Sequence, residues 1–306
     1  MARGPAWAEE LSWRALPALT AGAAGVWTLS LALVDGWQRG VVDRLTSTEE
    51  YLHDVPRAPA ISVLLREFAA HILTTAVDPG QTWFWTTHVG AHPPGAFLVF
   101  VGLDRIGLGG GGPAGLLVIA VGASAAAAIL VTARALGEEA VARRAAPYAA
   151  LFPGAVWVGV SADGLFAGWL AWSIALLAVA PRSNGRRAAV TAFAGGLLLG
   201  GAAYLSYGLV LGGLLAAATM ARRWPWRRGR SLAVAAAGAT RHHRPVACRP
   251  SAGGPAAAAA GGGRGHPGWR TVGLAAAGAA LVVAAFTVAG FSWLDGYPKG
   301  RVIYAA

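Results

Sequence analysis

The sequence predicts an all-α fold: a polytopic transmembrane helical bundle whose large extracytoplasmic first loop carries an interfacial amphipathic helix. Three observations predict it. Hydrophobic residues make up 56% of the 306-residue chain and charged residues 13%, where an average soluble domain carries about 25% charged residues. Apolar runs of membrane-spanning length recur, and arginine clusters punctuate them. One stretch, residues 36–92, breaks the apolar pattern and concentrates the ionisable side chains.

The first span is read at residues 15–35, as an uncleaved helix and not a signal peptide, because no small-residue cleavage site follows it. Trp37 marks its interfacial end. The loop at 36–92 holds six acids (Asp43, Glu49, Glu50, Asp54, Glu67, Asp78), four arginines, and four of the seven histidines. Within it, residues 60–76 place Ile61, Leu64, Leu65, Phe68, Ile72 and Leu73 at helical spacing. That helix is too short and too charged to span, so it is expected to lie on the membrane surface. Residues 93–107 are apolar but short, and either span or re-enter.

Residues 114–134 read as a clear span. Residues 145–160 and 164–180 are apolar and meet at Ser161-Ala162-Asp163. Residues 188–220 suit two short spans or one long broken one. The basic loops at 134–144, 181–187 and 222–230 are expected at the cytoplasm, with 36–92 and Asp163 outside. A full crossing by 93–107 breaks that parity.

Residues 1–240 therefore read as one transmembrane domain. Residues 241–270 look foreign to it: five arginines, three histidines, four prolines and Cys248, with no acid. Two explanations stand, a disordered cytoplasmic loop or a local frame slip in a GC-rich gene. Residues 271–306 read as an additional transmembrane helix and a truncated C-terminus. Lys299 is the sole lysine among 25 basic residues, a bias that points to a GC-rich, bacterial coding sequence. The net charge of +11 does not imply a nucleic-acid partner, because the arginines sit at the ends of apolar runs. The expected partner is the lipid bilayer of a plasma membrane.

The segment Thr87-His88-Val89-Gly90-Ala91-His92-Pro93-Pro94-Gly95 stands where the loop re-enters the membrane. Two prolines fix the backbone there and hold His92 at the water–lipid boundary; a helix start with Pro in its first turn is the plainer reading. An extended loop after the first span, closed by His-Pro-Pro and an apolar helix, resembles the GT-C membrane glycosyltransferases, a group that includes protein O-mannosyltransferases and lipid-A aminoarabinose transferases. The continuation Phe97-Leu98-Val99-Phe100 to Leu103-Asp104-Arg105-Ile106-Gly107, with Arg143-Arg144 and Trp157-Val158-Gly159-Val160-Ser161-Ala162-Asp163, is similar to uncharacterised actinobacterial integral membrane proteins. The resemblance covers roughly residues 15–230 and 271–296.

The resemblance implies transfer of a sugar from a polyprenyl-phosphate donor at the outer face. It implies an acidic base in the first loop, among Glu49, Glu50 and Asp54, with Asp54 preferred and Glu50 second. It implies a second acid at the outer end of a later span, Asp163; a helix cap is the other role open to that residue. Candidate substrate-binding residues are His88, His92, Arg57, Arg66, Asp104 and Arg105. Arg57 or Arg66, or a divalent metal ion, would offset phosphate charge. His53, His88 and His92 with nearby carboxylates are the candidate metal ligands, although no H-E-x-x-H is present. Two rivals stand beside this reading. One is a transporter or flippase of a lipid-linked substrate, which needs polar groups within several spans. The other is a non-catalytic, degenerate membrane protein.

Overall fold

The computed structural model describes residues 4–73, 82–221 and 268–305. Asp78, the arginines at 222–230, Cys248 and nearly all of the foreign-looking 241–270 stretch lie outside the described residues. Every regular element among the described residues is helical. Five helices are long and apolar enough to cross a membrane, so the chain is a multi-pass, all-α membrane protein. They are Ala15–Asp35 (α2, Ala15–Ala32, with one 3₁₀ turn), α7 (Gly111–Ala135), Ala162–Arg182 (α10, Ala162–Val179, with one 3₁₀ turn), α11 (Gly185–Leu205) and α13 (Gly268–Val288). A short helix, α1 (Gly4–Glu10), precedes them.

Neighbour contacts fix the relative directions. Ser173 Oγ donates to Gly195 O at 2.9 Å and Trp169 Nε1 to Leu198 O at 2.7 Å, so α10 and α11 are antiparallel. Trp172 Nε1 meets Ser124 Oγ at 2.9 Å and Arg182 meets Arg134 O at 2.8 Å, so α7 and α10 are parallel. A return crossing must lie between them. It is broken: α8 (Glu139–Ala150), an interruption, then α9 (Ala155–Val158). Trp27 Nε1 donates to Phe152 O at 3.2 Å, which seats the interruption midway along α2. The span expected at 145–160 is thus split into two helices and starts earlier.

The 93–107 run resolves as α6 (Pro94–Arg105). Its 12 residues reach about 18 Å at 1.5 Å each, short of the roughly 30 Å hydrocarbon core. It does not cross, so the parity conflict disappears. Arg134, Arg143 and Arg182 gather at one end of the bundle, and the described residues of the 36–92 loop and Asp163 at the other. Residues 188–220 form the upper part of α11 and, beyond a break at Ser206, a 3₁₀ turn and α12 (Gly212–Ala221). The additional helix begins at Gly268, and α14 (Trp293–Ala305) follows it.

The main core lies where the loop meets the span ends. Tyr51, Leu64, Phe68, Trp85, Phe97 and Phe100 pack there with Val118, Leu165, Tyr204 and Phe291. The amphipathic helix is present, as α4 (Ile61–Glu67) plus a 3₁₀ turn to His71. Leu64, Leu65, Phe68 and Ile72 are buried in this core, and only Ile61 and Leu73 of its apolar set are exposed. The face expected to lie on lipid is mostly spent on protein.

The spans approach closely because their contact faces are small. A Cβ on Gly168 would stand 2.1 Å from Val121 O, and one on Gly196 2.0 Å from Ala275 O. Lipid tails give helices little hydrophobic reason to associate, so close backbone packing carries the contact. We expect Gly168→Val and Gly196→Val each to destabilise by at least about 1–3 kcal/mol, the usual cost of overpacking. Gly22→Ala and Gly273→Ala meet open space and should hold or raise the melting temperature in detergent, since Ala is the better helix former. Equal melting temperatures for all four would contradict this packing.

Candidate functional site

The site is built from two loop segments and one helix start. The first segment carries Glu49 and Glu50 into α3 (Tyr51–Asp54). The second carries Thr86 into α5 (Thr87–Ala91) and then His92. Asp54 joins them. Its side chain is fully buried; one oxygen is paired with Arg57 and the other accepts the Thr86 N–H at 2.8 Å. Three further links run alongside: His88 N–H to Glu49 O at 3.1 Å, His88 Nδ1–H to the same carbonyl at 2.9 Å, and Thr87 Oγ1–H to the Glu49 carboxylate.

This arrangement reorders the candidate acids. Asp54, first in the sequence reading, has both oxygens occupied and no exposure, so it is a buried tie. Glu50 stands partly open, with Oε1 3.3 Å from His88 Nδ1. Burial raises the Glu50 pKa, and the nearby Asp163 adds to the rise. His88, the Tyr51 N–H and Arg44 pull the other way. The net direction is up, with burial the largest cause.

His92 sits in the extended backbone that a following proline requires. Its ring lies 6.1 Å from Tyr51 and 5.6 Å from Phe166. Nδ1 is 2.9 Å from His88 O; a donor there leaves Nε2 as the acceptor of the neutral ring. Burial lowers the His92 pKa, and His88 contributes in the same sense; the hydrogen bond to His88 O and the Asp163 charge oppose it. Pro93 and Pro94 then start α6. A Cβ on Gly95 would stand 2.3 Å from Tyr204 O, so glycine lets this segment close onto α11.

Asp163 is exposed in the first turn of α10. The cap is Ser161, whose Oγ accepts the Asp163 N–H at 3.1 Å; Asp163 itself is left to face Glu50 and His92 electrostatically. Val160, just before the cap, has φ of 56°, a rare conformation for a β-branched residue and a mark of local strain.

The structure thus brings together Glu50, His88, His92 and Asp163, with Tyr51 packed between the imidazoles. It does not bring the remaining candidates to that point. Arg57 is held by Asp54 and by a bond to Phe84 O at 3.2 Å, and its guanidinium lies 5.5 Å from the Trp83 ring. Arg66 packs at the Gly290 turn. Asp104 and Arg105 are at the far end of α6, where Arg105 donates to Pro59 O at 2.7 Å. His53 is exposed. Among the described residues no three His, Cys, Asp or Glu side chains gather as a metal site. Sequence reasoning gave no role to Arg44, whose charge acts on Glu50, or to Tyr51; adjacency to the acidic pair was an available signal for Tyr51 alone.

Comparison with protein-family models, curated proteins and solved structures finds no match.

Two outcomes follow from the geometry. His92 has a folded pKa below its ordinary 6.5, so the unfolded chain binds the proton more readily. Its contribution is fully present above pH 6.5 and is lost as pH falls toward the folded value. Glu50, raised above 4.5, acts in the opposite sense: its contribution is present below 4.5 and lost as pH rises through the folded value. We expect His92→Asn to flatten the fall in melting temperature on acidification just below pH 6.5; an unchanged slope would contradict burial of a neutral ring. Asp54→Asn should cost about 2–4 kcal/mol, because it weakens a buried, charge-assisted pair, as read by thermal unfolding.

Proposed function

We propose that this chain is an integral membrane glycosyltransferase-like enzyme that transfers a sugar from a polyprenyl-phosphate donor to an acceptor at the outer face. The arginine-rich end faces the cytoplasm in this reading, following the positive-inside rule. The observation that carries it is the convergence of Glu50, His88, His92 and Asp163 at the opposite end, from three separate chain segments.

Glu50 is the base. Its carboxylate takes the proton of the acceptor hydroxyl while that oxygen bonds to the anomeric carbon. The bond from that carbon to the donor phosphate oxygen breaks, and the lipid phosphate leaves with the electron pair. His88, hydrogen-bonded to the Glu49 carbonyl, orients the Glu50 carboxylate. His92, packed between Tyr51 and Phe166, forms the apolar-edged wall of the site beside Glu50. Arg44, the cation that acts on Glu50, offsets phosphate charge, in place of Arg57 and Arg66.

The buried polar groups of the spans favour this reading over a transporter. Three of the four buried Ser and Thr hydroxyls in the described spans, Thr20, Thr28 and Ser173, are spent on backbone carbonyls, which gives a lipid-linked cargo little to hold within the bundle.

The test is release of polyprenyl phosphate from labelled polyprenyl-phosphate hexose or aminopentose by the purified full-length chain. Glu50→Gln should lower kcat by about 10²–10⁴-fold, the usual worth of a positioned base, with the fold intact. The acid limb of kcat/KM should lie above the ordinary carboxylate range, because the base must be ionised and burial holds its pKa up. Unchanged turnover in Glu50→Gln, or no release from any such donor, would overturn the reading.

A further inference from the structure

We propose that α14 (Trp293–Ala305) is an interfacial helix. It lies along the bilayer surface at the Asp163 end of the bundle, with Leu294, Pro298 and Val302 set into the lipid at the headgroup–acyl boundary. The proposal does not depend on the glycosyl-transfer reading.

The chain reaches α14 from a lipid-facing surface. α13 is long and apolar enough to cross the membrane, and it turns little of itself inward: Leu281, Val283 and Val288 are exposed, Val288 at 89%. In a multi-pass protein that surface meets hydrocarbon. The chain then turns at Gly290, whose φ of 100° favours glycine, and the Phe291 N–H donates to Phe286 O at 3.0 Å. Ser292 starts the next helix, its Oγ accepting the Asp295 N–H at 3.3 Å. Leu294, 77% exposed, therefore stands one tight turn beyond Val288. α14 begins at the edge of the same lipid-facing surface.

One face of α14 is held by protein. Trp293 Nε1 donates to Ala203 O at 3.0 Å and Lys299 Nζ to Ala69 O at 2.8 Å. A Cβ on Gly300 would stand 3.1 Å from Tyr207 Cε2 and 3.3 Å from Gly90 O. The opposite face lacks such cover among the described residues. Leu294, Pro298 and Val302 recur every four residues, which makes one stripe on a helix; Pro298 is exposed and Val302 half-buried. Exposed Tyr297 and Arg301 flank the stripe on one side and exposed Asp295 on the other. The Tyr297 ring, stacked on Trp293 at 5.0 Å, is of the type that favours the headgroup level. Arg301, its guanidinium 5.8 Å from that ring, can keep its stem in apolar surroundings and its charge among phosphates. In bulk water the stripe would stay wet; in the hydrocarbon core Asp295 and Arg301 would be desolvated. The boundary between them suits both. α4, expected in this role, has its apolar face buried, whereas α14 has its own free. The inner face of α14 grips Gly90, so the bilayer sets the height of α5.

Site-directed spin labelling of the full-length chain in phosphatidylcholine–phosphatidylglycerol liposomes tests this, with Cys248→Ser removing the sole cysteine. Nitroxides at Leu294→Cys and Val302→Cys should collide more with oxygen, which concentrates in the membrane, than with a water-soluble nickel chelate. A label at His53→Cys, exposed in the cap, should show the reverse order. One at Leu281→Cys, within α13, should be the best shielded from nickel. Thermal unfolding checks that each labelled variant is folded; if either α14 label disturbs folding, Pro298→Cys takes its place. Nickel-dominated collisions at the α14 positions, matching His53→Cys, would overturn the proposal. So would shielding of those labels from both reagents, or spin–spin broadening between two copies, since each would put protein and not lipid against the stripe.

Discussion

The buried carboxylate of Asp54 is the constraint on which the cap formed by the described residues of the 36–92 loop depends. Glu50 and His88 lie far apart in the chain, and neither belongs to a membrane span. What brings them within 3.3 Å is the pairing of two loop segments around Asp54, which bonds Arg57 on its own side and the Thr86 amide across the gap. A fully buried carboxylate is costly unless its oxygens are occupied. Here both are: Arg57 offsets the charge from the same segment, and the Thr86 amide occupies the second oxygen only when the segments pair. The Glu49 and Thr87 contacts lengthen the same seam.

The spans and the cap reinforce each other. Phe97, Phe100, Val118, Leu165 and Tyr204 belong to four different helices and share one core, so the cap cannot shift without disturbing the span ends. α14 adds a strap from outside: Lys299 Nζ donates to Ala69 O at 2.8 Å, and Ile303 lies against Gly90. The segment bearing His88 and His92 is thereby held on several sides. Such support keeps the Glu50 carboxylate and the two imidazoles in one fixed arrangement, as the proposed transfer requires.

Much of the fold was legible because hydrocarbon imposes long apolar helices. The spans at 15–35 and 114–134, and the placement of Asp163 at the end opposite the basic loop at 134–144, follow from length and arginine placement alone. The broken α8–α9 crossing was harder, because α8 runs through Pro147 and breaks only near Pro153, inside a run that stays apolar. The short α6 was ambiguous for the opposite reason: its residues are apolar because they fill the cap core, not because they meet lipid. Composition does not distinguish those two surroundings. The same limit explains α4, whose apolar face is turned into the protein.

The members of the candidate site could be marked in the sequence, but their surroundings could not be read there. Glu50, His88, His92 and Asp163 were all marked by residue type and position, yet Asp54 ranked above Glu50. Ranking acids requires knowing which one has its oxygens already used, and that depends on Arg57 and the Thr86 amide, a partnership between segments distant in the chain. Amide hydrogen exchange in nanodiscs tests the tie most directly. In wild type the Thr86 and His88 amides should be protected; in Asp54→Asn both should lose protection together while α7 and α10 keep theirs. Retained protection at Thr86 and His88 in that variant would contradict the account.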